Sequence, residues 1–470
     1  MIKFLKQFFI YGLASILGKI AAVFLLPLYT NVLTKEEYGA MALITAAKGI
    51  IDLFSNLNIH SGIARDYHER GVNRTKLVST GFISILLCSI VVFFILLISR
   101  DFWIGSVLNI QDYEKAFIIM LFTLPAGSLF SYFGILTRYK NRAVAFSIGN
   151  IVQLFVQISL TIYFVLVLRI GVVGVFYGIL GGEIIGIVFF YFINKENIRI
   201  TFDKNILKRA LMFSLPTLPA IVAVWIDSSL GQVLIGKFIS VEEAGVYSIA
   251  LRLSSVFLLF QIAFNNVWKP FVYENYKKEN FKKDTMRIFK LSALMLLLIS
   301  LNLSMLSDYI VLLLSNITYL QASKYLIILC IPMSLAILQL FVEIGPGIVR
   351  KTKYLSYSNI TGSAFNLIFL FIFLPKLGVI TVPISLSVSK LINYAIISYF
   401  TNKQIDFAFP KKYVLFLIII VAISFTFKTY DISLTNTIIL LFVINLFTVI
   451  YLYRYYNLSV VLKKYIGKKS

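Results

Sequence analysis

The sequence predicts an all-α integral membrane protein with about 14 transmembrane helices. The chain of 470 residues is 59% hydrophobic and only 14% charged. Its apolar residues gather in runs of about 20 residues, and its basic residues lie between those runs. A lipid-facing helix is apolar on its outside as well as towards its neighbours, and a soluble domain does not need so much apolar surface.

Each run is long enough to cross a bilayer, because a helix rises about 1.5 Å per residue and the hydrocarbon core is about 30 Å thick. We number the runs as spans 1 to 14. Their predicted bounds are 8–33, 39–60, 79–99, 116–136, 146–168, 172–193, 211–236, 246–266, 288–306, 325–348, 359–375, 379–400, 413–427 and 435–453. Span 1 is too long for a signal peptide and is expected to be retained. Both cysteines, Cys88 and Cys330, fall inside spans, so the sequence indicates neither a disulfide framework nor a metal site.

The basic residues predict the orientation of the spans. With the N-terminus in the cytoplasm, 32 of the 44 Lys and Arg residues lie in cytoplasmic segments, 8 in outer loops and 4 inside spans. Cytoplasmic loops carry such an excess in membrane proteins. We therefore expect both termini in the cytoplasm, and the formal charge of +23 requires no nucleic-acid partner.

An internal duplication is predicted from four short segments that recur 206 or 207 residues apart in the same order. The pairs are 34–39 with 240–245, 100–102 with 307–309, 124–125 with 331–332, and 169–172 with 376–379. Each repeat holds six spans, and an even number of spans preserves orientation, so parallel repeats around a central cavity are expected. The predicted units are an N-lobe at 1–200, a C-lobe at 201–410, and spans 13 and 14 with a basic cytoplasmic tail at 411–470.

Ionisable side chains inside spans mark the candidate site. Each costs about 2.5–3.5 kcal/mol at a helix centre, so such residues are expected to face a bundle interior or a water-filled cavity. Four cations are predicted to line a cavity that suits an anionic substrate: Lys19, Lys48, Arg252 and Lys390. Further polar or ion-coupling candidates are Asp52, Asn56, Gln153, Gln157, Glu183, Asp227 and Glu343. Coupling to a proton, Na⁺ or the membrane potential stays open, and no cofactor, metal or catalytic site is predicted.

The clearest stripe is on span 2, where Lys48, Asp52, Asn56 and His60 follow one another at four-residue steps and so share one side of a helix. Two alternatives stay open at this point. Lys48 and Asp52 could form only an intrahelical ion pair, and polar stripes also hold helices together.

Proline and glycine predict two helix breaks that would serve as hinges. Span 7 begins with two prolines three residues apart, Pro216 and Pro219, and Pro346 lies between glycines near the end of span 10. Glu183 and Lys390 occupy equivalent repeat positions with opposite charge. One hypothesis is that these two side chains pair across the lobes.

The segments 26–29 (LPLY), 33–39 (LTKEEYG) and 213–216 (FSLP) resemble bacterial oligosaccharide flippases. These are Wzx-type O-antigen and capsular polysaccharide transporters of the multidrug/oligosaccharidyl-lipid/polysaccharide exporter (MOP) superfamily. The resemblance, which extends over essentially the whole chain, implies a V-shaped, MATE-like pair of lobes and alternating access. It implies transfer of a polyprenyl-pyrophosphate-linked oligosaccharide across the bacterial cytoplasmic membrane.

The resemblance also implies partners and site residues. The partners would be the lipid-linked glycan, membrane lipids and other polysaccharide-assembly membrane proteins. The related lipid II flippases carry basic residues on spans 1, 2 and 8, and Lys19, Lys48 and Arg252 match that pattern by span and depth.

Three other functions compete with this reading. A cation-coupled multidrug exporter shares the fold, but usually has twelve spans and an acidic residue on span 1. A membrane-embedded polysaccharide polymerase or ligase needs a large outer loop or a catalytic cluster, whereas His60 and His68 are the only histidines and no nucleophile constellation accompanies them. We therefore predict that the chain is not an enzyme. A structural scaffold with no role in transport is the third alternative. In such a protein, leucine could replace the charged residues inside the spans with little effect.

Overall fold

A computed structural model describes residues 18, 21, 23–69, 71–351, 353–429 and 434–456, with the backbone alone at 427–429, 434, 449 and 451–456. Eleven helices within these ranges are long and apolar enough to cross a membrane. These spans, numbered 2 to 12, are Lys35–Asn56, Arg74–Ile98, Gln111–Tyr139, Ala143–Val167, Val172–Asn197, Lys204–Phe238, Val241–Asn275, Phe281–Met305, Ala322–Ile348, Lys353–Leu377 and Thr381–Ile405. The described part of the chain contains no β-strand, so the all-α membrane fold is confirmed.

The residues predicted as spans 13 and 14 lie in the helices Lys412–Thr429 and Leu434–Tyr456, whose apolar parts, Lys412–Thr426 and Thr435–Thr448, are shorter than the other spans. Span 1 is described only towards its end, where the helix Leu26–Val32 leads into span 2. Because the start of span 1 lies outside the described residues, the total of fourteen spans stays a prediction.

Span 7 is broken where its prolines predict. Its helices Lys204–Ser214, Leu218–Trp225 and Gly231–Phe238 are joined by a 3₁₀ turn, Leu215–Thr217, and a π turn, Ile226–Leu230. The 3₁₀ turn contains the first proline, which has no N–H to continue the α-helical bonding.

Span 10 is also broken as predicted, because the helix Ala322–Val342 ends before a short helix, Ile344–Ile348, that contains Pro346. Span 8 has a break that the sequence did not indicate. Its helices Val241–Ser254 and Val256–Asn275 meet at Ser255.

Span 2 begins at a capping box. The Thr34 hydroxyl accepts from the Glu37 N–H at 3.1 Å, and the Glu37 carboxylate accepts from the Thr34 N–H at 2.9 Å. The span ends at Asn56, because Leu57 and Asn58 adopt left-handed conformations with φ of 48° and 53°.

A separate helix, Ile59–Asp66, follows span 2 and carries His60. The predicted continuous stripe from Lys48 to His60 is therefore wrong beyond Asn56. The left-handed pair of residues changes the chain direction, so a four-residue step no longer keeps side chains on one side.

The predicted duplication appears in the local geometry. Ser240 caps span 8 by accepting from the Glu243 N–H at 3.2 Å, as Thr34 does for span 2. Gly171 and Gly378, at equivalent repeat positions, precede spans 6 and 12 with φ of 60° and 73°, values that glycine adopts without steric cost.

Two further paired segments behave alike. Pro125 lies inside span 4 and Pro332 inside span 10. A short helix follows both span 3 and span 9, at Phe102–Leu108 and Ser307–Leu314.

Packing follows the two halves of the chain. Span 6 packs against spans 4 and 5, and span 12 against spans 10 and 11. Between the halves, span 2 packs against spans 7 and 8, and the helix Ile59–Asp66 packs against Lys204–Ser214. The lobe boundaries at 200 and 410 stay predictions, and the contacts of span 2 place it at the junction of the halves.

Candidate functional site

Spans 2 and 8 cross at two glycines that occupy equivalent repeat positions. A Cβ at Gly39 would overlap the Val241 carbonyl group, 2.7 Å from its carbon. A Cβ at Gly245 would lie 3.0 Å from the Gly39 Cα and 3.2 Å from the Lys35 oxygen. The two backbones therefore touch, and only residues without a Cβ allow this contact.

Arg252 lies two turns along span 8 from Gly245 and reaches the first half of the chain. Its guanidinium carbon is 5.6 Å from the centre of the Tyr29 ring and 5.5 Å from that of Tyr38, within range of cation–π attraction. Tyr38 also meets Tyr319 edge to face, with ring centres 5.8 Å apart. None of the ion pairs formed by the described residues includes Arg252.

Lys48 lies between two carboxylates in the first half. Its Nζ donates to Asp52 Oδ2 at 2.8 Å and lies 3.9 Å from Glu183 Oε1 on span 6. Glu183 faces a notch at Gly127 on span 4, where a Cβ would come within 2.8 Å of Oε1. The intrahelical pair of Lys48 and Asp52 is thus present, and it is part of a larger cluster.

Trp225 joins span 7 to span 2 beside this cluster. Its indole Nε1 donates to the Ala46 carbonyl at 2.9 Å. A Cβ at Gly49, next to Lys48 in the chain, would lie 3.3 Å from the indole ring. A residue of the second half therefore covers the helix that carries Lys48.

Asp227 and Lys390 form the corresponding partly buried pair of the second half. Lys390 Nζ donates to Asp227 Oδ2 at 2.7 Å, and Asn366 Nδ2 donates to Oδ1 at 3.2 Å. Asn366 is fixed in turn by the Ser385 hydroxyl, which donates to its Oδ1 at 2.6 Å. The π turn Ile226–Leu230 carries this carboxylate.

The hypothesis that Glu183 and Lys390 pair across the lobes is wrong. Each of these side chains has an opposite charge in its own half: Lys48 lies near Glu183, and Asp227 binds Lys390. A close partner on a neighbouring helix satisfies a buried charge without requiring the two halves to meet.

Glu343 lines a separate cavity of about 240 Å³ in the second half, between spans 8, 10 and 11, together with Lys269 and Asn265. Gln339 Nε2 donates to Glu343 Oε1 at 3.0 Å. The cations that act on Glu343 are Lys269 and Lys390, so this carboxylate belongs with the charges of the second half and not with the Lys48 cluster.

The two glutamines of span 5 bond to each other, because Gln153 Nε2 donates to Gln157 Oε1 at 2.8 Å. A Cβ at Gly182 or Gly186 of span 6 would meet their side-chain or backbone atoms. This geometry favours helix packing over the lining of a cavity.

Asn56 shapes the end of span 2. Its side chain donates to the Asp52 carbonyl at 2.7 Å and accepts from the Asn58 N–H at 2.9 Å. Lys19, the remaining predicted cation, lies outside the described residues.

The cationic lining that the sequence predicts is thus largely neutralised in the described part of the chain. Lys48 and Lys390 each have a carboxylate within 3 Å, whereas Arg252 rests on tyrosine rings. Charge counting along spans could not reveal the partners of Lys390 and Arg252, because they come from helices distant in sequence, whereas Asp52 lies one turn from Lys48 on the same span.

Sequence reasoning missed Tyr29, Tyr38, Trp225 and Asn366. Tyr38 carried a signal, because it precedes the glycine of a recurring segment. Asn366 carried none, since one amide on an apolar span has many possible roles.

Comparison with solved structures identifies the fold. A structure described as "Lipid II flippase MurJ, inward closed conformation" superposes with a TM-score of 0.75 at 16% identity, covering 94% of this chain and 98% of that chain. An inward-facing multidrug resistance MATE family transporter of the MOP superfamily gives a TM-score of 0.66 at 16% identity, with 84% and 94% covered. A MOP superfamily transporter from Pyrococcus furiosus, whose title reports reverse polarity of its binding pocket, gives 0.59 at 16% identity, with 86% and 95% covered.

No curated protein matches the chain in sequence. The profile of the family described as "Polysaccharide biosynthesis protein" matches residues 4–275, more than half of the chain. The resemblance seen in the sequence is therefore confirmed for family and fold. The chain is a multi-pass membrane protein that belongs to the polysaccharide biosynthesis protein family and has the fold of MurJ and the MATE transporters.

Proposed function

We propose that this protein is a flippase, which carries a polyprenyl-pyrophosphate-linked oligosaccharide across the bacterial cytoplasmic membrane. The cargo would be the repeat unit of an O-antigen, capsule or exopolysaccharide. Family membership and the fold of a lipid II flippase support the proposal. The observation that carries it is the glycine crossing of spans 2 and 8, which closes one end of a junction containing buried charges.

The opposite end of the junction is closed by a similar contact. A Cβ at Gly62 would lie 2.6 Å from the Ala210 Cα, where Ile59–Asp66 packs on the start of span 7. In the predicted orientation, the Gly39 end faces outwards and the Gly62 end faces the cytoplasm. Alternating access then requires that the two contacts separate in turn, with the lobes 1–200 and 201–410 as the moving bodies.

Arg252 is the described cation best suited to an anionic substrate group. A guanidinium held on two aromatic rings keeps its hydrogen-bond donors for another acceptor, and its planar fork matches a phosphate. Lys19 would add a second cation from span 1. A pyrophosphate between the halves would thus bind to Arg252, which no carboxylate neutralises in the described part of the chain.

Deletion of the gene tests the proposal. Without a flippase, the lipid-linked glycan accumulates and the surface polysaccharide disappears, so mass analysis of extracted lipids detects and identifies the cargo. Intact surface polysaccharide with no accumulated lipid-linked glycan would contradict a flippase. If the lipid-linked glycan accumulates only when the gene of another assembly protein is deleted, that other protein is the flippase.

We expect Arg252→Ala to abolish surface polysaccharide, because it removes the unneutralised cation. Arg252→Lys keeps the charge but loses the planar stacking and should retain part of the export. Export is measured as surface polysaccharide in a deletion strain at equal membrane protein level. Lys237→Ala, which removes an exposed cation at the predicted outer end of span 7, is the matched control and should export normally.

We expect Lys48→Ala to abolish surface polysaccharide as well, because Asp52 and Glu183 then lose their shared cation. The protein should still insert, since the apolar length of span 2 is unchanged. Normal export in both Lys48→Ala and Arg252→Ala would contradict a substrate site formed by these cations.

A cation-coupled multidrug exporter is the second candidate, because carboxylates outnumber cations among the candidate site residues that the structure describes. These are the four carboxylates of Asp52, Glu183, Asp227 and Glu343 and the three cations of Lys48, Arg252 and Lys390. Such an exporter predicts that gene deletion raises sensitivity to cationic drugs and leaves lipid-linked glycan at its normal level.

A further inference from the structure

Among the described residues, Glu183 is a buried carboxylate without a cation of its own. The residue is 8% exposed, and its Oε2 atom has no hydrogen-bond partner in this part of the chain. The nearest cation, Lys48, makes its short contact to Asp52 at 2.8 Å and reaches Glu183 Oε1 only at 3.9 Å. One ammonium group therefore serves two carboxylates, and the cluster carries one surplus negative charge when all three groups are ionised.

The corresponding charges of the second half are balanced, because Glu343, on which Lys390 also acts, has Lys269 as a further cation. Asp227 and Lys390 form a one-to-one pair, and the third member is the neutral amide of Asn366. Glu183 and Lys390 stand at equivalent repeat positions, so the charge balance of the two clusters can be compared directly. When one positive charge binds, the Glu183 cluster becomes neutral. The pair of Asp227 and Lys390 is already neutral and would become charged.

The groups around Glu183 favour a proton over a metal ion as that positive charge. The ammonium of Lys48 already lies between the carboxylates and would repel a second cation. No group of three or more metal-ligating side chains occurs among the described residues. Spans 2, 4 and 5 pack against span 6, and the ionisable groups that act on Glu183 from them are Lys48 and Asp52.

We propose that Glu183 binds and releases one proton during the transport cycle. A hydronium ion gives its proton to Oε2, an O–H bond forms, and water leaves; release reverses the step. Asp52, whose side chain is 36% exposed against 11% for Glu183, is the member of the cluster that water reaches most easily. The role in transport rests on the proposed flippase function, whereas proton binding by the cluster does not.

Infrared difference spectroscopy of the purified full-length protein in lipid vesicles tests proton binding directly. During a pH titration, the wild type should show the C=O stretching band of a protonated carboxyl at pH values where exposed carboxylates are ionised. Glu183→Gln should lose this band. Asp52→Asn should also lose it, because one carboxylate then faces one ammonium and the cluster is balanced.

Two further variants distinguish the infrared band of the cluster from the bands of other carboxyl groups in the protein. Lys48→Met should strengthen the band, since two adjacent carboxyls without a cation hold a proton more readily. Glu343→Gln, which removes a partly buried carboxyl outside the cluster, should leave the Glu183 band in place. A band that survives Glu183→Gln, or a wild type without any such band, would overturn the proposal.

The test distinguishes this proposal from the proposed function. If gene deletion causes lipid-linked glycan to accumulate but the band is absent, proton binding at Glu183 fails and the flippase stands. If the band behaves as expected but no glycan accumulates, the cluster binds a proton in a protein of another function. If glycan accumulates on gene deletion and the band behaves as expected, the Glu183→Gln protein should insert normally, and cells that carry it should lack surface polysaccharide.

Discussion

Gly39→Leu should reduce surface polysaccharide to the level of the deletion strain. Any side chain at residue 39 occupies the space of the Val241 carbonyl group, so spans 2 and 8 can no longer meet. Unlike the loss of one substrate contact, this change prevents the closure of one end of the junction. It should therefore abolish export as completely as Arg252→Ala or Lys48→Ala, without removing any charge.

Cysteine labelling detects the failed closure independently of export. Ser248, one turn beyond Gly245 on span 8, is 6% exposed. In a background without Cys88 and Cys330, Ser248→Cys should resist a membrane-impermeant thiol reagent added outside. The same cysteine should react once Gly39→Leu is added.

Gly105→Leu is the matched control, because the nearest atom to a Cβ there is 3.9 Å away. Normal export by Gly39→Leu would show that the crossing is not needed for the cycle. Labelling of Ser248→Cys with Gly39 still in place would show that this end stands open.

Lys390→Ala should strongly lower the stability of the protein. Asp227 would keep only the amide of Asn366 as a close polar partner. Loss of one member of a fully buried ion pair costs about 3–5 kcal/mol, and this partly buried pair should lose less than that. The measurement is the melting temperature in detergent, compared between variants at one heating rate because such unfolding is often irreversible.

The double variant Asp227→Asn with Lys390→Met separates lost charge balance from lost volume. It removes both charges together, so its melting temperature should recover most of what Lys390→Ala loses. A double variant as unstable as Lys390→Ala would mean that packing, rather than the unpaired carboxylate, dominates.

The sequence was sufficient to predict the fold class, the repeat and two of the four breaks in spans 7, 8 and 10, but not the π turn of span 7 or the break of span 8. Hydropathy depends on the local composition of the chain, and a proline breaks a helix whatever the surrounding tertiary structure. Ser255 shows the limit of this reasoning. Serine is common inside membrane helices, and nothing in its neighbours marks the break of span 8.

The site was less accessible to sequence reasoning. Lys48 and Asp52 are one turn apart, so their pairing was among the alternatives. Lys390 was assigned the wrong partner, because repeat symmetry suggested Glu183 and gave no information on the π turn that carries Asp227. Side chains on different spans meet through packing, which the pattern of one span does not contain.

The glycine crossing also limits how such a chain can be built from its repeat. Residue 39 meets residue 241, and residue 245 meets residue 35. This reciprocity is the property of an isologous interface between two identical subunits. A six-span half paired with its own copy would place Gly39 against the same glycine, and one mutation would alter both sides of the seam. With both halves in one chain, each glycine has its own codon, and the two sides can vary separately.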